Sequence, residues 1–372
     1  MKLNQISITN FRNIEKLNIE FDKKLNIFYG ENGQGKTSIL EAIYFLSISK
    51  SFRVKSEKYV LQFEKDFFDI KGCFTDKDGR EFVVRIFYSL KNGKNLFLNE
   101  NKLNRFSEII GITPVILLSL EDLELTYGVP SNRRKFVDIL LSQVSPLYLH
   151  TLQNFKKSIL QRNKHLNLIY EKKESIKSLF PWDEQIVKNG SEIINYRLQL
   201  IEYINRSISN YYRLISEKNE NIKVEYKSRI TNKLENINID LIEEKYNELL
   251  KSELKIDLQK QTTTIGPHRD DIQFFMNDKL FKSFGSQGEN KTFLIALKFL
   301  EGDYIKMKLK TEPIFLMDDI FGELDSKRID KLTEHVSMLG QTFITTVSKN
   351  KFSKSKFKNI NFINIRNGYI VQ

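Results

Sequence analysis

The chain has 372 residues, 40% of them hydrophobic, enough for one large domain or two lobes. Its single cysteine, Cys73, rules out an internal disulfide, and the start lacks an apolar segment while the longest apolar stretch, IIGITPVILLSL, is broken by Pro114; a soluble cytoplasmic protein without secretory signal or membrane span is expected. The net charge of +12 favours a polyanionic partner such as nucleic acid or an acidic membrane face, although a chain rich in Lys, Asn and Ile reaches the same sum with no partner.

In chain order, QISITNF alternates Ile6 and Ile8 with polar neighbours and LNIEF repeats the pattern, which predicts strands. KLNIFYG is a nearly unbroken apolar run ending in glycine, as a buried parallel strand requires. After a glycine-rich stretch, a helix is predicted from about Thr37, with Ile39, Ala42, Ile43 and Leu46 on one apolar face. Strands return between residues 66 and 104, where Asp78-Gly79 and Asn92-Gly93 predict two hairpins of an antiparallel layer. From about Ser131 to Leu250 the chain reads as mainly helical. Ser131 is a cap, Ser145 another before an N1 proline, and Phe180-Pro181 a break. Trp182, beside that break, is expected in the core. Ile194, Leu198, Ile201, Ile208, Tyr211 and Ile215 form a heptad-like stripe, sized for a compact lobe and not for a long coiled-coil arm. Beyond Gln261, EPIFLMDD and QTFITTVS read as strands, and NFINIRNGYIV as a hairpin turning at Asn367-Gly368. The architecture expected is an α/β nucleotide-binding head built from residues 1–120 and 261–372, with a helical lobe inserted at 121–260.

The chemistry starts at GENGQGKT. Gly30, Glu31, Asn32, Gly33, Gln34, Gly35, Lys36 and Thr37 match G-x-x-x-x-G-K-[ST], between an apolar strand and a helix. The glycines let backbone N–H groups turn inward on phosphate, at the positive end of the following helix. Lys36 is expected on the β/γ oxygens, Thr37 on Mg²⁺ and Ser38 near the α-phosphate. In IFLMDD the strand tip presents Asp318 to the Mg²⁺ shell, and Asp319 is placed to orient or deprotonate the attacking water. SFGSQGENKT opens an apolar-faced helix on a Ser-x-Gly turn, so Ser286, Gln287 and Gly288 make a second anion site. One nucleotide does not need two such sites in one chain. The economical explanation is a composite site, in which the turn of one copy caps the γ-phosphate held by another. GELDSKR, with Leu324-Asp325, fits a loop crossing such an interface, and Thr345 and Thr346 stand where a γ-phosphate sensor would lie.

These ordered motifs resemble ATPase heads of the ABC class related to SMC and Rad50 proteins, and more narrowly the RecF family of bacterial recombination mediators. The resemblance rests on NFRN (10–13), GENGQGKTSILEAIYFLSISKSFR (30–53), LLSLEDLELTYGVPSNRRKFVDILLSQVSPLYL (117–149), IGPHRDD (265–271), SQGENKT (286–292) and DDIFGELDSKR (318–328). It implies a weak, DNA-stimulated ATPase that dimerises on ATP and Mg²⁺. It also implies DNA binding at gaps and single-strand/double-strand junctions, help in loading recombinase with RecR and RecO, and Arg12 as a further nucleotide-binding residue. This sequence departs from the family pattern at Glu289, Asn290 and Lys291, where two glutamines and an arginine are usual, and at Gly322, usually Ser.

Candidate DNA-phosphate contacts are Arg53, Arg133, Arg134, Lys156 and Lys157, the two adjacent arginines being equally readable as interface residues. The run Lys349–Lys358 interleaves Phe352 and Phe357 with lysines; a solvated loop with its phenylalanines in the core is the simpler reading. His268-Arg269-Asp270-Asp271 reads either as a buttress of the site or as a hydrogen-bonded turn. His150, His165, His268 and His335 lack metal-ligand spacing, so no zinc site is expected. Another SMC-like DNA-maintenance ATPase fits less well, for want of a long coiled coil or an attached nuclease. A transporter's nucleotide-binding subunit is disfavoured because about 250 residues separate Lys36 from Ser286.

Overall fold

The computed structural model describes residues 1–232, 234, 237–320, 340–352 and 359–371. They divide into two units, residues 1–123 with 292–372 and residues 124–291.

The first unit begins with β1 (Lys2–Phe11), β2 (Ile14–Glu20) and β3 (Leu25–Tyr29), then α1 (Lys36–Ile48). The strands β4 (Phe67–Thr75), β5 (Glu81–Ser89), β6 (Gly93–Leu98), β7 (Asn101–Lys102) and β8 (Val115–Ser119) follow. An antiparallel sheet has the order β2-β1-β4-β5-β6-β7. Both predicted hairpins are present, and a third turns at Asn99-Glu100, each with positive φ. The pattern predicts one buried face for α1, yet every residue but Thr37 is buried. It is apolar nearly all round because it lies between two layers. Phe45 of α1 meets Phe11 of β1 and Phe68 of β4 at ring-centroid separations of 6.2 and 5.9 Å. A Cβ on Gly72 of β4 would stand 2.7 Å from a Leu46 methyl, so helix and sheet meet with no room for a side chain there.

The second unit comprises α2 (Glu124–Tyr127), α3 (Pro130–Val144), α4 (Pro146–Tyr170), α5 (Phe180–Ser216) and β9 (Ile222–Lys227). It continues through α6 (Ile239–Ser252), α7 (Leu254–Lys260), β10 (Asp271–Met276), β11 (Lys279–Leu280) and α8 (Phe281–Phe284). β9 interrupts the stretch expected to be helical and pairs antiparallel with β10. That pairing, with the buried Arg162–Thr263 and Arg197–Pro267 hydrogen bonds, ties residues 261–291 to this unit and not to the head. Pro130 takes the N1 position of α3 with Val129 as cap, so Ser131 lies inside the helix and not at its end. Ser145 does cap α4, accepting from the Tyr148 amide at 3.1 Å. Pro181 opens the 37-residue α5, about 55 Å long at 1.5 Å per residue. Ile194, Ile201, Ile208 and Ile215 of its stripe are buried, Leu198 and Tyr211 half-buried. Trp182 is also only half-buried, with its ring stacked near that of the half-buried His165 at 6.1 Å.

The division between units falls within α9 (Gln287–Leu309). After it come β12 (Ile314–Asp318), β13 (Thr342–Thr346), β14 (Ile360–Arg366) and β15 (Tyr369–Val371). The second sheet of the first unit has the order β15-β14-β3-β13-β12-β8. All its pairings are parallel except β14–β15, and LNIFY, IFLMD and TFITT form its interior, as expected of strands covered on both faces. The register sets Thr346 beside Tyr29 and Asp318 beside Ser119, so the phosphate loop and the acid pair emerge at the same, carboxyl, end of the sheet.

Candidate functional site

β3 feeds the loop from Gly30 to Gly35, where Gly30, Gly33 and Gly35 have φ of +146°, +79° and +106°. A Cβ on Gly30 would stand 2.3 Å from the Ile365 carbonyl oxygen, so only glycine fits. Gly35 is the N-cap of α1 and brings no side chain, and the first turn carries no acid. α4 and α6, by contrast, are closed by Ser145 and Asn238 side chains. The leading amides of α1 are therefore left to an anion.

Lys36 Nζ donates to the carbonyls of Gly30 and Glu31, both at 2.7 Å. The residue is 7% exposed. Burial lowers its pKa, opposed by the charges of Asp319 and Asp318. Asp318 Oδ1 accepts from Thr37 Oγ1 at 2.8 Å and from Thr345 Oγ1 at 2.7 Å. The Thr345 oxygen in turn accepts from the Asp319 amide at 2.9 Å. Asp319 sits at φ +52°, a left-handed conformation that a non-glycine residue adopts at a cost, and the Thr345 bond holds it there. Thr345, expected as a phosphate sensor, is fully buried and braces both acids from behind. Thr346 Oγ1 is turned to the Ser348 carbonyl. Thr37 and Asp318 offer a hydroxyl and a carboxylate side by side, an oxygen pair suited to a hard divalent cation.

Ser38 is buried and donates to Asn13 Oδ1 at 3.0 Å, while Asn13 Nδ2 donates to the Gly33 carbonyl at 3.1 Å. Asn13 had no role from sequence; its place in NFRN was the available signal. Arg12 makes a two-pronged bond to Glu41, at 2.8 and 2.7 Å, and donates to the Tyr59 carbonyl. Glu41 is fully buried within α1, so Arg12 serves here as its counter-ion. Gln34 turns its side chain out to the β14–β15 turn.

In the second unit, Ser286 precedes α9 in a reciprocal capping box. Ser286 N and Oγ donate to Glu289 Oε2 at 2.9 and 2.8 Å, and the Glu289 amide donates back to Ser286 Oγ at 3.3 Å. These bonds hold the Glu289 carboxyl below its ordinary pKa. Asn290 is buried and donates to the Gly285 carbonyl, closing the turn. Gln287 and Gly288 form the first turn of α9.

The basic candidates separate by environment. Arg133 is 5% exposed, its guanidinium fixed on Asp271 at 2.8 and 3.0 Å and on the Gly128 carbonyl. These partners hold its guanidinium inside the second unit. Arg134 donates to the Asp270 carbonyl at 2.6 Å and is half-buried. Arg53, Lys156 and Lys157 are exposed. Phe352 is buried, as the solvated-loop reading of its run expects. GELDSKR, His335 and Phe357 lie outside the described residues. Among the GPHRDD residues, His268 Nε2 and the Arg269 guanidinium bond the Thr263 carbonyl, and Asp270 accepts from Tyr226 at 2.6 Å. That is a hydrogen-bonded turn inside the second unit.

A phosphate loop leading into a buried helix, with a hydroxyl–carboxylate pair joined across β3, β13 and β12, defines a P-loop ATPase head of the ABC type. The model of the RecF/RecN/SMC N terminal domain matches residues 2–370. A DNA replication and repair protein RecF of Streptococcus gordonii is 38% identical over the whole of both chains. Its counterpart in Natranaerobius thermophilus is 36% identical over 95% of this chain and 93% of its own. The solved structure of the recombination mediator protein RecF with ATP, in the RecFOR pathway, has a TM-score of 0.91 at 31% identity, covering 99% of this chain and 96% of that one. An SMC head bound to the C-winged helix domain of ScpA shares the fold, with a TM-score of 0.57 at 16% identity. The chain belongs to the RecF family of DNA replication and repair proteins. Among the described residues no helix is long and apolar enough to cross a membrane.

Proposed function

We propose that this chain is an ATP-dependent, DNA-binding recombination mediator that closes as a homodimer around two nucleotides. The observation that carries the reading is the Lys36–Thr37–Asp318–Thr345 constellation. A buried cation lies within the phosphate loop, and a hydroxyl and a carboxylate meet at 2.8 Å beside it. In this role Lys36 leaves the Gly30 and Glu31 carbonyls for the β/γ oxygens, and Thr37 with Asp318 holds Mg²⁺. Mg²⁺ when bound neutralises charge on the β- and γ-phosphates. Asp319, its backbone held by Thr345, orients the attacking water. Ser286 and the Gly288 amide of a second copy close the site over the γ-phosphate. Differential affinity for the closed dimer couples ATP to DNA retention, and slow hydrolysis releases it.

Exposed Arg53, Lys156 and Lys157 remain the candidate phosphate contacts, together with half-buried Arg134, while Arg133 leaves the set. RecR and RecO are the proposed partners, in line with the pathway of the ATP-bound relative. The test is light scattering and gapped-DNA binding with and without ATP, for the wild type and Ser286→Arg. ATP is expected to raise both dimer fraction and DNA affinity in the wild type and neither in the variant. If ATP leaves both unchanged in the wild type, the composite-site mechanism is wrong. DNA binding that survives when ATP-driven dimerisation is blocked removes the coupling.

A further inference from the structure

We infer that the C-terminal β14–β15 turn is a positioning element of the phosphate loop, acting through Gln34. The inference rests on the nucleotide reading above and adds a part of the site that lies at the far end of the chain. The Gly368 amide donates to the Gln34 carbonyl at 2.8 Å, and the Asn367 amide donates to Gln34 Oε1 at 2.6 Å. Asn367 and Gly368 have φ of +50° and +79°, a two-residue turn of the I′ kind, whose N–H groups ordinarily face water. Here both converge on one residue of the loop.

The consequence follows from peptide geometry. In a planar trans peptide the carbonyl and the next residue's N–H point in opposite directions. Asn13 Nδ2 fixes the Gly33 carbonyl, which aims the Gln34 N–H away from Asn13. Gly368 fixes the Gln34 carbonyl, which aims the Gly35 N–H away from the hairpin. Two consecutive amides are thereby set from outside, as an anion nest demands. The three segments are in close contact. A Cβ on Gly35 would lie 3.1 Å from the Asn13 side chain and 3.4 Å from Gly368 Cα, and one on Gly368 would lie 2.5 Å from the Asn13 carbonyl oxygen. The hairpin is itself anchored, because β14 pairs with β3 as far as Asn364↔Tyr29 and the Tyr369 hydroxyl donates to Glu15 at 3.0 Å.

A loop held in its binding conformation in advance gains nucleotide affinity and leaves the chemical step alone. The experiment is titration of a fluorescent ATP analogue, with steady-state ATPase kinetics, on the full chain carrying Gln34→Ala, Gly368→Ala, Gly79→Ala or Lys36→Ala. Gly79 has φ +80° in another hairpin turn, where an added methyl would meet no atom within 4 Å, so Gly79→Ala imposes the same backbone strain away from the loop. Gln34→Ala is expected to weaken binding and raise KM roughly fivefold with kcat little changed, the loss of one net hydrogen bond. Gly368→Ala is expected to weaken binding further, and Gly79→Ala not at all. Amide exchange over residues 33–36 without nucleotide is expected to quicken in Gln34→Ala. Wild-type affinity in Gln34→Ala overturns the inference, as does unchanged exchange, whether or not Gly368→Ala folds. If the wild type binds no better than Lys36→Ala, the nucleotide reading itself falls and takes the inference with it.

Discussion

Glu289→Gln is predicted to strengthen ATP-driven dimerisation. The Glu289 carboxylate takes both donors of Ser286, its amide and its hydroxyl, at 2.9 and 2.8 Å. If Ser286 is to meet a γ-phosphate, those bonds must open and a negative charge must remain beside the incoming oxygens. Two unit charges about 4 Å apart repel by about 1 kcal/mol in water and more as solvent leaves. Ser286 is exposed and Glu289 half-buried, so the lower figure applies as a floor, about 1 kcal/mol per site. A twofold dimer has two such sites, which makes about 2 kcal/mol, or roughly thirtyfold in the dimerisation constant. Glutamine is isosteric and serves in the same capping box, so the helix start loses only a few tenths of a kcal/mol. The assay is sedimentation velocity over a protein dilution series with a slowly hydrolysed ATP analogue. A variant that melts with the wild type but dimerises no more tightly would refute the charge argument, and with it the placing of Ser286 against phosphate.

Thr345→Val keeps the shape of a fully buried residue but removes the donor to Asp318 and the acceptor of the Asp319 amide. Losing these two hydrogen bonds costs about 1–3 kcal/mol, and kcat should fall by a larger factor than ATP affinity does; an unchanged kcat would show that the brace is dispensable. His268→Gln tests a buried pair of opposed titrations. Burial pushes His268 down to about 4, so its contribution is present above its ordinary 6.5 and lost as pH falls through 4. Burial pushes Asp270 up to about 6, so its contribution is present below 3.8 and lost as pH rises through 6. Between pH 7 and 5 the two nearly cancel in the wild type. The variant, keeping only the Asp270 contribution, should gain about 2 kcal/mol on the wild type over that range. Urea unfolding at pH 7 and pH 5 measures the gain, and a difference between the two proteins that ignores pH would exclude it.

The features legible in the sequence are those whose conformation is written in adjacent residues. Gly30, Gly33 and Gly35 announce positive φ, Asn367-Gly368 announces a hairpin, and IFLMDD announces a covered strand with acids at its tip. What escaped depends on distant partners. Arg133 looks like a free cation until Asp271, 138 residues on, is brought to it. Thr345 looks like a sensor until its register behind Asp318 is known. β9 carries an alternation of Ile222, Val224 and Tyr226, but it sits between helical stretches and only β10 gives it a ladder. Ser131 was outcompeted by Pro130, whose fixed φ suits the first helical position one residue earlier.

The strand that feeds the phosphate loop has both of its neighbours at the end of the chain. β3 (Leu25–Tyr29) lies between β13 (Thr342–Thr346) and β14 (Ile360–Arg366), whereas β1, β2, β4, β5 and β6 pair among themselves within the first hundred residues. Closing a loop of over 300 residues is slower than closing successive hairpins, because the chain entropy must be given up before any contact compensates it. The antiparallel sheet should therefore form first and β3 last, with the phosphate loop unbraced until β14 and its turn arrive. Pulsed amide exchange during refolding from denaturant is expected to find β4 and β5 protected before β3 and to find ATP-analogue binding recovering with β3. If β3 amides are protected as early as those of β4, the loop is built before its braces, and Asn367 and Gly368 only decorate a structure already set.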